Sequence, residues 1–148
     1  MFTNKLLFLD FDGVLHPNLC SPSLYFCEGE RLRSSIRDSS ANLEVVISSS
    51  WRFHYTLDRL KAQLPSSVSQ LVIGVTPQVA PGKHQRFREI GAFLENYPEA
   101  SDWRALDDAA FEFPKTCPQL ILCNGKTGID DRVGSEVRTW LEMGQDEI

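Results

Sequence analysis

The sequence predicts an α/β domain with a central, mostly parallel sheet, three-layer and Rossmann-like, with helices on both faces. Three observations predict it. Five short runs are apolar at nearly every position, as strands buried on both faces of a parallel sheet are. One-faced helical patterns lie between those runs, which implies βαβ units. The length of 148 residues suits one domain, taken as 1–148, and leaves no room for a large inserted cap domain.

The elements follow in order. Leu6–Leu9 is the first strand and runs into Asp10-Phe11-Asp12-Gly13. A short helix is expected over Glu30–Ser39. Leu43–Ile47 is the second strand, closed by Ser48-Ser49-Ser50. Leu57, Leu60 and Leu64 recur at helical spacing within Tyr55–Leu64. Leu71–Val75 is the third strand, ended by Thr76-Pro77. Phe87, Ile90, Phe93 and Leu94 share one face of a helix over Gln85–Tyr97. Trp103–Leu106 leads into Asp107-Asp108, and Leu120–Cys123 into Asn124-Gly125. Val133, Val137, Trp140 and Leu141 mark the last helix, Val133–Met143, which Asp130 and Asp131 should cap. Pro17–Phe26 and Asp108–Pro118 fit no regular element. Both follow an acidic cluster at a strand end, where loops tend to carry function. The stretch from Pro17 to about Asn42 has room for a small flap and one helix.

A net charge of −5 argues against a general nucleic-acid surface, though not against a local basic pocket. Cys20, Cys27, Cys117 and Cys123 show no CxxC spacing, so zinc is not indicated and free thiols in a reducing compartment are expected. The apolar run at Leu6–Leu9 is too short and too acidic at its end for a signal peptide. No stretch approaches the ~18 apolar residues of a membrane helix. A cytoplasmic protein with no membrane partner is expected.

In an open α/β sheet, ligands sit beyond the carboxyl ends of the strands. There the sequence places Asp10 and Asp12, then Ser48, Ser49 and Ser50, then Asp107 and Asp108. An ionised Asp can attack phosphorus and form an aspartyl-phosphate, and a neighbouring carboxyl can move the protons. Four gathered carboxylates need a cation, and Mg²⁺ suits an all-oxygen site. Transferring a phosphoryl group also needs donors for its equatorial oxygens. A serine hydroxyl, backbone N–H groups and a basic side chain can supply them. Lys83 and Arg86 stand at the start of the third long helix, and Arg52 just beyond Ser49.

These residues carry a resemblance. Phe8-Leu9-Asp10-Phe11-Asp12-Gly13-Val14-Leu15 resembles the first motif of haloacid dehalogenase (HAD) superfamily phosphatases. Val46-Ile47-Ser48-Ser49 is similar to the second, a basic residue near Arg86 to the third, and Ala105-Leu106-Asp107-Asp108 to the fourth. Ser49-Ser50-Trp51-Arg52, Arg86-Phe87-Arg88-Glu89-Ile90 and Leu106-Asp107-Asp108 narrow it to a small, nearly capless branch that includes domains of RNA-repair proteins. The resemblance implies an HAD-like fold and Mg²⁺-dependent phosphomonoester hydrolysis. It implies Asp10 as nucleophile and metal ligand, and Asp12 as acid/base with its backbone carbonyl on the metal. Asp107 and Asp108 would complete the metal site. Ser49 and a basic residue would hold the phosphate; Arg86 fits the Arg-x-x-Glu-Ile pattern better than Lys83. Ser48 and Arg52 remain further candidates for the phosphate.

An open site could accept a nucleic-acid end, a phosphoprotein or a small phosphate ester; the sequence does not choose among them. The rival class is a non-catalytic module of the same fold that binds phosphate or nucleic-acid ends, or a receiver-like domain. A receiver would place its acidic pair and its phosphorylated Asp on different strands, and here Asp-x-Asp follows the first strand. His16 and His54 read as polar loop residues. Trp51, Trp103 and Trp140 read as core, with Trp51 near enough to the site to stack on a ligand.

Overall fold

The computed structural model describes residues 4–37 and 42–143. Five parallel strands form one sheet: β1 (Asn4–Leu9), β2 (Asn42–Ile47), β3 (Val72–Val75), β4 (Ala100–Asp107) and β5 (Leu120–Leu122), in the order β3-β2-β1-β4-β5. The helices are α1 (Gly29–Ile36), α2 (Leu57–Ala62), α3 (Ser66–Ser69), α4 (Gln85–Glu95) and α5 (Asp131–Glu142). The expected helix end at Ser39 lies outside the described residues. No inserted cap domain interrupts the described residues.

Alternation along the strands separates two cores. Leu7, Leu9, Val45, Ile47 and Leu106 face α1, α2, α3 and α5 through Leu32, Leu60, Val68, Val137 and Trp140. Leu6, Phe8, Val46 and Ala105 face α4 through Ile90. Phe8 is fully buried there, with Phe93 and Trp103 edge-on at 5.8 Å each. Burying such a ring stabilises by roughly 1.5–3 kcal/mol.

β4 begins three residues before the expected run. Its polar first half is satisfied locally: Asp102 accepts from Arg104 Nη1 at 2.9 Å and from Trp140 Nε1 at 2.9 Å. Lys5, on buried β1, reaches the end of α5 and donates to the carbonyls of Trp140 (2.6 Å) and Met143 (2.7 Å). A cation on the last carbonyls of a helix satisfies both hydrogen bonding and the helix dipole. At the other end of α5, Asp130 accepts the Val133 N–H at 2.9 Å and is the cap the sequence predicts.

Strand order reverses between β1 and β4, and in open α/β sheets ligands bind past the carboxyl ends at such a point. Leu9 pairs with Leu106, so Asp10 and Asp107 leave neighbouring strands side by side. No described helix is long and apolar enough to cross a membrane. All four cysteines are free, as expected.

Candidate active site

Oxygens of Asp10, Asp107 and Asp108 lie within 4.8 Å of one another at that reversal point. Asp10 and Asp107 are buried, Asp108 partly so. Backbone N–H groups orient the first two: Phe11 N donates to Asp10 Oδ1 at 2.8 Å, and Ala109 N to Asp107 Oδ1 at 2.9 Å. Asp108 Oδ2 accepts from the Asn18 amide. The chain passes very close to that carboxylate. A Cβ at Gly13 (φ 78°) or at Gly125 would strike Asp108 Oδ2, so a side chain at either would displace that carboxylate, and Gly13 is required as well by its left-handed backbone.

Arg86, on the first turn of α4, reaches the cluster. Its Nη1 is 2.6 Å from Asp107 Oδ2 and 3.2 Å from Asp10 Oδ2. Burial opposes the guanidinium charge, but Asp10 and Asp107 outweigh it and raise the pKa. Burial, then the charge of Asp107, pushes the Asp10 carboxyl well above the usual carboxylate range; Arg86 pulls against this and Asp108 adds to it. Burial also raises Asp107, offset in part by Arg86 and the Ala109 N–H. Three crowded carboxylates, two of them reluctant to ionise, match a hard divalent cation in the chemistry of their donors.

Lys83 lies exposed, one turn before Arg86, and its carbonyl accepts from Arg88 Nε at 2.9 Å. Among the described residues, Arg86 is the basic side chain that touches the carboxylates. Arg52 is committed elsewhere. Its Nε donates to the Thr76 carbonyl (2.9 Å), its Nη1 to the Ser49 carbonyl (2.8 Å), and its Nη2 pairs with Glu89 at 2.8 Å. Both charged side chains of that pair are 4% exposed. Arg52 therefore braces the ends of β2 and β3 against α4 through Nε and Nη1, while its buried Nη2 is ion-paired with Glu89 but makes no hydrogen bond. The Arg-x-x-Glu spacing acquires a physical meaning: residues three apart share a helix face, and here Arg86 and Glu89 sit over the strand ends.

The serines divide. Ser49 Oγ accepts the Trp51 N–H at 3.1 Å and caps a short 3-10 turn, Ser50–Phe53. Ser48 Oγ is buried without a protein partner. Alternation along β2 carries Ser48 to the α4 side, the side of Asp10 and Arg86. Thr76 Oγ1, at the end of β3, is likewise buried without a partner. Such hydroxyls are costly to leave unsatisfied, and both stand at strand ends on the side of the sheet that α4 covers.

Asp12 adds no carboxylate to the three-residue cluster. Its side chain is 48% exposed, and its Oδ1 takes two donors: His16 Nε2 at 2.7 Å and Trp51 Nε1 at 3.1 Å. His16 is 1% exposed and is not the polar loop residue expected. Its Nδ1 meets the Phe26 N–H at 3.1 Å. A backbone N–H can only donate, so Nδ1 accepts and Nε2 carries the proton given to Asp12. His16, Glu89, Thr76 and Asn18 are the site residues that sequence reasoning missed. The signal for Glu89 was present in Arg-x-x-Glu. His16 and Asn18 depend on the path of the loop after Gly13, which no local pattern reveals.

A five-stranded parallel sheet with Asp-x-Asp-Gly after its central strand, an acidic pair after the neighbouring one and a helix-borne arginine between them defines a haloacid dehalogenase-type α/β domain. Residues 6–133 match the family described as the HAD domain in Swiss Army Knife RNA repair proteins, and the chain belongs to that family. Membership suggests an HAD-type phosphohydrolase in general terms. Comparison with curated proteins and with solved structures returned no match.

Proposed function

We propose that the protein hydrolyses phosphate monoesters with Mg²⁺ through an aspartyl-phosphate on Asp10. The observation that carries this reading is the Asp10 carboxylate itself. It is buried at the end of β1, held by the Phe11 N–H, and faces Arg86 and the Asp107–Asp108 pair.

Asp10, Asp107 and Asp108, with the main-chain carbonyl of Asp12, would hold Mg²⁺, which supplies charge neutralisation between phosphate and nucleophile. Arg86, Ser48 Oγ and Thr76 Oγ1 stabilise the equatorial oxygens of the transferring group. Ser49 shapes the turn beneath it, and Arg52 holds that turn against α4. An Asp10 oxygen attacks phosphorus while the leaving oxygen takes a proton from Asp12. Water then gives a proton to Asp12 and attacks phosphorus. The P–O bond to Asp10 breaks, releasing inorganic phosphate and restoring both carboxyl groups. His16 and Trp51 both bind Oδ1 of Asp12, so the carboxyl is fixed in rotation and Oδ2 is presented to the substrate.

Hydrolysis of p-nitrophenyl phosphate should be abolished by EDTA and restored by Mg²⁺. Full turnover in EDTA would contradict the reading. Phosphate binding without turnover at any Mg²⁺ concentration would favour a non-catalytic module that recognises phosphorylated ends.

A further inference from the structure

Trp51 joins the proposed acid/base to a second site. One edge of its indole donates to Asp12, and the ring also lines a cavity of about 330 Å³ with Tyr25, Phe26, Tyr55, Arg59 and Gln63. The walls are aromatic and mutually braced. Trp51 and Tyr55 lie 5.4 Å apart at 30°, Tyr25 stands edge-on to Trp51 at 5.4 Å, and Phe26 does so at 5.2 Å. Tyr25 and Tyr55 nevertheless stay 42% and 45% exposed, although burying such rings would stabilise the fold. Arg59 and Gln63, both exposed, add a planar cation and an amide with donor and acceptor.

From this we infer that the cavity receives the nucleobase of a nucleotide whose phosphate is the group transferred at Asp10. The inference rests on the phosphatase reading and narrows it to nucleoside phosphate esters. Aromatic rings stack on a base of any identity, guanidinium planes add to the stack, and amides meet base edges. Trp51, which lines the cavity and donates to Asp12, sets the cavity next to the carboxyl proposed to protonate the leaving oxygen, which is the oxygen that carries the nucleoside in such an ester. The chain carries a net charge of −5. That disfavours a long track of backbone phosphates and fits recognition of one nucleotide, either free or at a strand terminus.

The test compares kcat/KM for ribose 5-phosphate, for 3′- and 5′-AMP, and for short 3′- and 5′-phosphorylated oligonucleotides. The best nucleotide should exceed ribose 5-phosphate by ~10–100-fold, the usual worth of one stacked base. Tyr55→Ala should collapse that ratio toward one, while Tyr55→Phe keeps it. Preference for the oligonucleotide identifies a terminal nucleotide as the source, and preference for AMP a free one. Equal wild-type kcat/KM with and without the base, or a ratio untouched by Tyr55→Ala, overturns the inference. Titration of the protein with phosphate-free adenosine, followed by NMR at the Trp51 indole N–H, separates the two readings. Shifts there without hydrolysis of any ester would leave the base site standing and sink the phosphatase. Hydrolysis of esters with no shift at Trp51 would sink the base site alone.

Discussion

His16 donates its Nε2 proton to Asp12 Oδ1 across 2.7 Å, and its tautomer is fixed from behind by the Phe26 N–H on Nδ1. The imidazole is buried and packs between the rings of Tyr25, Phe26 and Trp51, so it has little freedom to release the carboxylate. Removing this support should misplace a proton donor without touching the nucleophile. His16→Ala should lower kcat by ~10–100-fold, as loss of a supporting partner does elsewhere. The loss should be larger for esters with poor leaving groups than for p-nitrophenyl phosphate, whose leaving oxygen needs no proton. Equal losses on both would mean that His16 only supports the fold.

Arg86 and Lys83 should separate sharply. Arg86 contacts Asp10 and Asp107, whereas Lys83 is exposed. Arg86→Ala should cut kcat by ~10²–10³-fold, the usual loss for one transition-state donor. Lys83→Ala should behave as an ordinary surface change. Steady-state kinetics on folded variants decides this, and a crippled Lys83→Ala with active Arg86→Ala would reverse the assignment.

The Arg52–Glu89 pair makes a prediction about stability. Both side chains are buried, so losing one leaves the other uncompensated. Arg52→Met should destabilise by about 3–5 kcal/mol. The double variant Arg52→Met/Glu89→Met should recover most of that loss, because no buried charge remains. Urea denaturation measures both. A single variant of wild-type stability would show that the pair is not held as described.

The raised carboxyl groups give a pH dependence with a definite sign. Asp10 is pushed well above its ordinary value, first by burial and then by Asp107. The folded protein therefore holds a proton that the unfolded chain releases, and its contribution to stability is complete below the unfolded carboxylate pKa. It is lost as pH rises through the folded pKa. Metal-free protein should lose stability across that window, and Asp10→Asn, which has no charge to bury, should melt above wild type in EDTA at neutral pH. Mg²⁺ binding should tighten over the same window, since it must displace the proton. Thermal melts against pH, with EDTA and with Mg²⁺, test all three statements.

Much of this was legible in the sequence because burial on both faces makes strands uniformly apolar, and catalytic groups then follow their ends. Asp10, Asp12, Asp107, Asp108 and the serines after β2, Ser49 foremost, were singled out that way, and the structure brings Asp10, Asp107 and Asp108 together. The first half of β4 was hidden because Asp102 and Arg104 interrupt the apolar run, and one of the donors that satisfy Asp102, Trp140, lies far along the chain. The single turn of α3 follows Pro65 and is mostly serine, which gives no helical period. Arg52 read as a candidate phosphate ligand because it lies just beyond Ser49. Its partners Thr76 and Glu89 lie on other elements. The His16–Asp12–Trp51 arrangement rests on a loop in which Phe26 takes a left-handed backbone (φ 63°), a conformation unusual for phenylalanine.

The most direct measurement is to find where the phosphoryl group goes. Asp12→Asn, given an ester with a good leaving group and Mg²⁺, should be phosphorylated faster than the intermediate is hydrolysed. Acid quenching followed by peptide mass spectrometry should then place one phosphoryl group on Asp10, and Asp10→Asn should show none. A phosphoryl group on a serine, a histidine or another aspartate, or unlabelled protein during steady turnover, would contradict the account.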